Sequence, residues 1–135
     1  MNSKLRRTLL VALVALVVPA LALAASPKKG ATYVANKPQT PNSVSKKVSI
    51  KVGKSGKTAR ALFYCGTGRA PDTSPRFNIK KGRFSVAKKT GSITLWSLTH
   101  GHFISSTKAT AYLNVVTTCD GRSDGNITLK LKTTP

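Results

Sequence analysis

The sequence predicts a single all-β domain: an antiparallel meander of about eight short strands, closed as a β-sandwich or a flattened barrel, after an N-terminal signal peptide. Three observations predict this fold class. Apolar and polar residues alternate in short segments, as in half-buried strands. Turn-forming residues separate these segments at regular spacing. Beyond residue 24, no segment keeps the periodicity of an amphipathic helix.

The N-terminal 24 residues have the three parts of a secretory signal peptide. A cationic start with Lys4, Arg6 and Arg7 precedes an apolar run over residues 9–23, and Ala22-Leu23-Ala24 supplies an A-x-A cleavage site. The alternative, a membrane anchor, is less favoured because the run is short of ~20 residues and contains Pro19. We therefore expect a secreted, extracellular or cell-wall-associated protein that begins at Ala25, with no transmembrane segment in the mature chain.

Composition divides the rest of the chain into two parts. Residues 25–43 form a loose segment, broken by Pro27, Pro38 and Pro41, with one possible short strand at 31–35. Residues 44–135 form the predicted secreted β domain. Within it we expect strands at 48–52, 59–65, 77–79, 83–87, 92–99, 102–105, 108–118 and 127–131, with a loop over 66–75.

The stretch VGKSGKT, residues 52–58, is similar to a nucleotide-binding P-loop but departs from it in two ways. The first glycine of the P-loop pattern falls on Lys51, and a side chain there would crowd the phosphate-wrapping turn. The following residues, TARALFYC, alternate like a strand, whereas a P-loop is followed by a helix. The stretch therefore predicts a β-hairpin turn and no nucleotide site.

Residues 121–125 match the G-x-S-x-G pattern of a hydrolase nucleophile elbow. That elbow joins a strand to a helix and needs a later histidine, whereas this stretch lies between predicted strands with no histidine after it. As a calcium loop, the same region would place Arg122 and Leu131 where oxygen ligands are required. A hairpin loop is the favoured interpretation of both matches.

Two histidines and three large aromatic residues are the other candidates for chemistry. His100 and His102 would share a strand face, but zinc needs three or four protein ligands, so a surface pair is favoured. Trp96, Tyr64 and Tyr112 either pack in the core, the favoured role, or form a stacking surface between cations. With no glutamate and only three aspartates, the sequence predicts no enzyme, no metal and no cofactor.

Cys65 and Cys119 are expected to form a disulfide. Exported small domains usually pair their cysteines. In strand parity Cys65 matches Phe63, and Cys119 matches Leu113, so both would point inward. Closing a loop of about 55 residues would stabilise the fold by ~4 kcal/mol in the chain-entropy model. A metal-binding pair and a free thiol are the alternatives.

The charge balance predicts an anionic partner. The chain has 23 Lys and Arg against three acidic residues, a formal net charge of +20, and removing the leader's three cations lowers it to +17. Such a charge attracts anionic polymers and surfaces. Lysines at outward strand positions are the predicted contacts, without nucleic-acid sequence selectivity: Lys47, Lys51, Lys130 and Lys132. The alternative is that these lysines are solvated and discourage edge-to-edge aggregation.

The order of several segments resembles a known family. VSIKVGKSGKTARALFYC, FNIKKGRF and KATAYLNVVTTCDG precede a last alternating strand. This order is similar to that of a family of small secreted β-rich proteins of actinobacteria, over roughly residues 30–132. The chain departs from the family in a longer turn at 121–126 and in the mid-chain position of Trp96. The resemblance implies a secreted bacterial β domain, and the family has no established activity to transfer.

Together these features predict a non-catalytic extracellular β domain whose cationic surface associates with anionic envelope polymers. The alternative is a secreted protein-interaction module, an inhibitor or a wall-associated structural protein, in which the charge is incidental. Binding that weakens steeply with salt would distinguish the first from the second.

Overall fold

A computed structural model describes residues 24–36, 47–64, 70–116 and 123–133. These ranges contain nine β-strands and no helix, so the predicted all-β class is confirmed. Among them there is accordingly no helix that is long and apolar enough to cross a membrane. The strands are β1 Thr32–Asn36, β2 Lys47–Val52, β3 Thr58–Tyr64, β4 Asp72–Thr73, β5 Phe77–Asn78, β6 Arg83–Thr90, β7 Ile93–Ser105, β8 Lys108–Val115 and β9 Ser123–Leu131.

The strands form one antiparallel sheet in the order β4-β3-β2-β1-β9-β8-β7-β6, and β5 pairs with the other half of the outer edge of β3. Two meanders, β1–β3 and β6–β9, are joined where β1 pairs with β9. The sheet curls into a nearly closed barrel, which decides between the two predicted closures. Each inward side chain therefore reaches a common core.

Side chains from the outermost strands and from the strands next to them, β3 and β7, hold the two edges of the sheet together. The Phe77 and Phe84 rings lie 5.7 Å apart, and Phe63 stacks on Trp96 with 5.5 Å between ring centroids. Asp72 accepts a hydrogen bond of 2.9 Å from Trp96 Nε1. Its other carboxylate oxygen lies 3.5 Å from Lys88 Nζ. Aromatic contacts and one ion pair thus take the place of a continuous hydrogen-bond ladder.

The predicted alternation of inward aliphatics and outward lysines is observed in β2. Val48, Ile50 and Val52 are buried, whereas Lys47 and Lys51 are exposed. The same alternation in β3 and β8 completes the core. The largest fully buried side chains are those of Trp96, Tyr33, Phe63, Phe103, Ile50, Leu98, Leu113 and Leu129.

The structure differs from the predicted strands in four places. β7 runs without interruption from Ile93 to Ser105, where two strands were expected, because a β-bulge at His100-Gly101 keeps the chain in the sheet. His100 has a φ of 52°, and Gly101 lies directly under the Phe84 ring, where a Cβ would clash. The short strand β4 lies within the predicted loop.

The third difference concerns the loose segment, residues 25–43. Its possible strand is observed as β1, which lies inside the sheet with β2 on one side and β9 on the other. The preceding residues 24–31, here termed the N-terminal strap, run across one end of the barrel. Ala25 N donates to Phe103 O at 2.8 Å, and Gly30 N donates to Gly53 O at 3.1 Å. The sheet therefore extends N-terminal to the predicted boundary at residue 44. The fourth difference is that β9 begins at Ser123, so the loop predicted over 121–126 is wrong for residues 123–126, which pair with β8.

Candidate polyanion-binding end of the barrel

Among the described residues, charge is distributed unequally between the two ends of the barrel. We term one end of the barrel the basic end: there the chain leaves β2, β5, β7 and β9 and enters β1, β3, β6 and β8. The other end is termed the opposite end. The opposite end has three described cations, Lys47, Lys88 and Lys89, and both described acids, Asp72 and Asp124. All other described cations lie at the basic end: Lys28, Lys29, Lys51, Lys54, Lys57, Arg60, Arg76, Lys80, Lys81, Arg83, Lys108, Lys130 and Lys132.

Two tight turns place lysines at the rim of the basic end. In the β2–β3 turn, Gly53 N donates to Thr58 O at 2.8 Å and Gly56 N donates to Gly53 O at 3.0 Å. The β5–β6 turn is closed by reciprocal hydrogen bonds between Lys80 and Arg83. Each turn needs left-handed backbone, with φ of 75° at Gly56, 50° at Lys81 and 73° at Gly82. Glycine supplies these values without strain, whereas Lys81 does not.

Lysine is an unusual choice at position 81. A two-residue hairpin loop with positive φ at both positions favours Asn-Gly or Asp-Gly, because asparagine and aspartate tolerate the left-handed region. Lysine there costs about 1 kcal/mol relative to a relaxed backbone. The turn therefore carries a charge at a position where a neutral residue fits better.

Three of the four lysines predicted from strand parity lie together on the outer face of the basic end. Lys51 and Lys130 are exposed on β2 and β9, and Lys132 N donates to Thr32 O beside them. Lys47 does not belong to this group. It lies at the opposite end, where its Nζ is 5.4 Å from the centre of the Tyr64 ring.

Like charges face each other across neighbouring strands of this outer face. Lys51 is opposite Arg60 in the β2–β3 pair, and Lys108 is opposite Lys130 in the β8–β9 pair. Directly opposed like charges destabilise a sheet. Sequence parity identified Lys51 and Lys130, but their cationic partners are visible only once the register is known.

No described acid neutralises the basic end. The one ion pair within 4.0 Å among the described residues joins Lys88 to Asp72 at the opposite end. Asp124 accepts a 3.0 Å hydrogen bond from the Tyr112 hydroxyl, and this bond, with burial and the carboxylate's charge, raises the pKa of Tyr112. The strands also carry Asp124 away from the basic end, about 20 Å along β9 from Lys130.

Two clefts at the basic end share the β2–β3 turn as a wall. Cleft 1, about 550 Å³, is lined by the turn, the strap and the β5–β6 turn, and its cations are Lys29, Lys57, Lys80 and Lys81. Cleft 2, about 400 Å³, lies on the other side of the turn, and its cations are Lys51, Lys54, Arg60 and Arg76. Four cations and no acid line each cleft, so each is shaped and charged to hold an anionic group.

The P-loop-like stretch forms the predicted hairpin, which is confirmed by the antiparallel pairing of β2 with β3. The N–H groups of Gly53 and Gly56 are used inside the turn, as is that of Lys57, which donates to Ser55 Oγ at 3.2 Å. A P-loop instead directs such groups at phosphates. Here Lys54 and Lys57 present side-chain charge to the clefts.

The G-x-S-x-G match does not assemble a triad among the described residues. Residues 123–125 begin β9, an extended strand rather than an elbow or a calcium loop, and residues 120–122 lie outside the described part. His102 is opposite Thr110, which is opposite Thr128, so the register separates His102 from residue 123 by about 17 Å along the strands.

The histidine pair lies at the bulge of β7. His100 and His102 line an open cleft of about 800 Å³ together with Lys80 and Arg83. His102 Nδ1 lies 3.4 Å from Thr110 Oγ1. Within the described ranges, no three of His, Cys, Asp and Glu cluster as metal ligands. Cations on the same wall would also repel a metal ion.

No aromatic side chain lines either cationic cleft. Trp96 is fully buried, in agreement with its favoured role in the core. Tyr64 and Tyr112 are half-buried and contact Lys47 and Asp124 toward the opposite end. All eight aromatic residues of the chain fall within the described ranges, so the stacking surface between cations that was the alternative does not occur in the clefts.

The two cysteines lie outside the described residues. Cys65 directly follows β3, and Cys119 is four residues beyond the end of β8. The Cys65–Cys119 disulfide therefore stays a prediction.

Comparison with known proteins gives no relative to guide the assignment: no family model, no curated protein and no solved structure matches the chain.

Proposed function

We propose that this protein is a non-catalytic, secreted β domain that binds anionic envelope polymers through the basic end of its barrel. The observation that supports it is the separation of charge: every described cation except Lys47, Lys88 and Lys89 lies at the basic end, while both described acids lie at the opposite end. A charge that served solubility alone has no need to be concentrated at one end.

The energetics of binding follow from the exposed cations. The basic end holds like charges directly opposite each other, so an anionic polymer would relieve their repulsion as it binds. Each neutralised phosphate releases counterions, so the affinity falls steeply with salt. Exposed lysines contact the charged groups of a polymer, so binding depends on the charge and its spacing and has no sequence selectivity.

The alternative, a protein-interaction module, has weaker support among the described residues. The two large exposed apolar side chains, Ile93 and Ile104, are 58% and 52% exposed but lie near opposite ends of β7. Single apolar residues at this separation form no contiguous patch of the kind that marks a protein interface.

Secretion and the disulfide belong to the same proposal. The strap places Ala25 N against Phe103 O, and an α-ammonium produced by cleavage after Ala24 would donate the same hydrogen bond. The new terminus would add one positive charge beside Ser26 and Pro27 in the wall of cleft 1. Mass measurement of the protein from culture supernatant tests the cleavage, and non-reducing peptide mapping tests the Cys65–Cys119 bridge.

Charge reversals at the two ends test the proposed function. Lys54→Glu/Lys57→Glu changes the net charge at the basic end, and Lys47→Glu/Lys89→Glu makes the same change at the opposite end; all four side chains are exposed. Affinity for heparin and for anionic vesicles is measured between ~50 and ~200 mM salt, over which wild-type affinity should fall by more than tenfold. The basic-end variant should bind at least tenfold more weakly than wild type, and the opposite-end variant within about threefold.

Two results would contradict this proposal. Equal weakening by both variants would mean that the net charge, rather than the basic end, governs binding. Absence of wild-type binding at low salt would favour the protein-interaction module. Circular dichroism checks that both variants fold, which is expected because exposed substitutions usually change stability by about 0.5 kcal/mol or less.

A further inference from the structure

Clefts 1 and 2 lie side by side at the basic end, and this arrangement restricts the kind of polymer that can occupy both. Their common wall is the β2–β3 turn, with Ser55, Gly56 and Lys57 on the cleft 1 side and Gly53 and Lys54 on the cleft 2 side. The chain is only two strands wide here, so the clefts are separated by about one strand spacing of 5 Å plus side chains. A ligand with closely spaced charges can therefore occupy both clefts at once.

Two of the five residues of the wall, Gly53 and Gly56, have no side chain, whereas Lys54, Ser55 and Lys57 present exposed polar side chains. Gly53 and Gly56 lie in the turn, and Gly30 of the strap donates its N–H to Gly53 O beside it. Lys29 of the strap extends along the turn, with its Cγ 3.2 Å from the position that a Cβ on Gly56 would take. A flexible chain can thus pass from one cleft to the other close to the backbone, with cations on both sides of its path.

The donors in the clefts suit phosphate. In cleft 1, the cations are all lysines, which bind phosphate as compact point charges. Ser55 Oγ accepts from Lys57 N, which leaves the hydroxyl hydrogen free to donate to an anion. In cleft 2, Arg60 and Arg76 present planar guanidinium groups that match two oxygens of one phosphate.

The absence of aromatic side chains in both clefts separates two classes of phosphate polymer. Proteins that bind single-stranded nucleic acid stack its bases on aromatic side chains, and each stacked base contributes about 1–3 kcal/mol. The clefts offer bases no such surface. A polymer whose phosphates are joined by short aliphatic units has no bases to stack, so the absence of aromatic side chains does not lower its affinity.

We infer that the ligand of the basic end is an aliphatic phosphodiester chain, of the poly(glycerol phosphate) type, that crosses the β2–β3 turn with a phosphate in each cleft. This inference rests on the proposed function and specifies its ligand. Two linked phosphates bind together more tightly than separate ones, because the second binding event is intramolecular. Recognition then depends on chain length as well as on charge.

The test compares ligand lengths and cleft variants. Lys57→Gln/Lys80→Gln removes two charges from cleft 1, Lys54→Gln/Arg76→Gln removes two from cleft 2, and Lys47→Gln/Lys89→Gln removes two from the opposite end as the matched control. Calorimetry at ~50 mM salt measures binding of glycerol phosphate, of a glycerol phosphate oligomer, and of an oligothymidylate with the same number of phosphates.

Sensitivity to each cleft should depend on the length of the ligand. The oligomer should lose at least tenfold in affinity in either cleft variant, because each removes one of two linked contacts. Glycerol phosphate should lose about twofold, because the intact cleft still binds it. The control should bind both ligands within about twofold of wild type, and oligothymidylate should bind wild type no more tightly than the oligomer.

Three outcomes would overturn the inference, and they differ from failure of the proposed function. Equal losses for monomer and oligomer would mean that the clefts bind independently, and equal losses in all three variants would mean that only net charge matters. Oligothymidylate binding more than tenfold tighter than the oligomer would identify nucleic acid as the ligand class. If wild type binds neither the oligomer nor heparin at this salt concentration, the proposed function itself fails.

Discussion

The two ends of the barrel differ in how their polar groups are used. At the opposite end, Asp72 binds both Lys88 and Trp96, and Asp124 binds Tyr112, so each described acid has a partner that holds the sheet together. At the basic end, cations face cations, and Lys81 occupies a backbone conformation that suits another residue. The comparison indicates that the opposite end is built for stability, whereas the basic end gives up some stability to present charge.

This difference predicts that stability and polyanion binding can be changed separately. Trp96→Ala should have the largest effect, on stability. Trp96 is fully buried, stacks on Phe63 and donates to Asp72. Truncation should lower the free energy of unfolding by about 3–5 kcal/mol, measured by chemical denaturation. Under conditions where the variant is folded, its affinity for an anionic polymer should stay within threefold of wild type.

Trp96→Phe is the control for the aromatic contact. It keeps a ring against Phe63 but loses the hydrogen bond to Asp72, about 0.5–1.5 kcal/mol, and the volume of the second indole ring, so its cost should lie between that figure and the cost of Trp96→Ala. A folded Trp96→Ala protein with tenfold weaker polyanion binding would show that the two ends are not independent.

Gly82→Ala should have the next largest effect, at the basic end. Gly82 has a φ of 73°, and an added Cβ would clash with the Ala25 carbonyl oxygen, which the proposed cleavage after Ala24 leaves in the strap. Gly91→Ala is the matched control, because Gly91 has a φ of 59° but nothing lies within 4 Å of the added Cβ. The control should cost about 1–2 kcal/mol of unfolding free energy from the backbone alone.

Gly82→Ala should cost more than this control and should also speed amide exchange at Lys28 of the strap, which donates to the Tyr33 hydroxyl. Denaturation and hydrogen exchange measure the two effects. Equal unfolding free energies for the two variants, with unchanged exchange at Lys28, would mean that the strap is not fixed by its contact with Gly82.

Much of the fold was predictable because strand parity is a local property. The spacing of Val48, Ile50 and Val52 predicts one buried face, and this prediction does not depend on the rest of the sheet. The continuity of β7 was not predictable, because a bulge at His100-Gly101 depends on Phe84 packing over Gly101 from another strand. The pairing of β1 with β9 joins residues about 100 apart in sequence, and nothing local specifies it.

The candidate site was predictable only in part, for the same reason. Parity correctly predicts that Lys47, Lys51 and Lys130 are exposed, but it does not indicate which end of the barrel a residue occupies, and Lys47 lies at the opposite end from the other two. Among the cations of the basic end, the lysines of the two turns are the easiest to recognise in the sequence. A Lys-Gly pair at a tight hairpin, where Asn-Gly fits better, is the sequence feature that points to Lys81.

Lys81→Asn sharpens the comparison between stability and binding. Asparagine tolerates a φ of 50° better than lysine, so the free energy of unfolding should rise by about 0.5–1 kcal/mol. Loss of one charge from cleft 1 should weaken polyanion binding by about two- to threefold. Denaturation and salt-dependent binding measure the two effects, with Lys81→Gln as the control that removes the charge without improving the turn.

The two variants should therefore share the binding loss and differ in stability. If Lys81→Asn is no more stable than Lys81→Gln, lysine is not strained in this turn, and the argument that the basic end gives up stability for charge loses its clearest example.

The smallest effect concerns a titration at the opposite end. The Tyr112 hydroxyl donates to Asp124, and this bond, with burial and the carboxylate's charge, raises the pKa of Tyr112 above the ordinary tyrosine value of 10.0. A raised folded-state pKa means that the folded protein holds this proton more tightly than the unfolded chain. The resulting stabilisation is fully present below pH 10 and is lost as the pH rises through the folded-state pKa.

Ultraviolet titration of the tyrosines measures this pKa, and Asp124→Asn separates the carboxylate's effect from burial. Asparagine can still accept a hydrogen bond but carries no charge, so the pKa of Tyr112 should move back toward 10.0 without unfolding the domain. Tyr112→Phe identifies which tyrosine signal is lost. An unchanged tyrosine titration in Asp124→Asn would mean that Asp124 does not bind Tyr112 in solution. One of the two described acids of the opposite end would then lack the partner that distinguishes that end from the basic one.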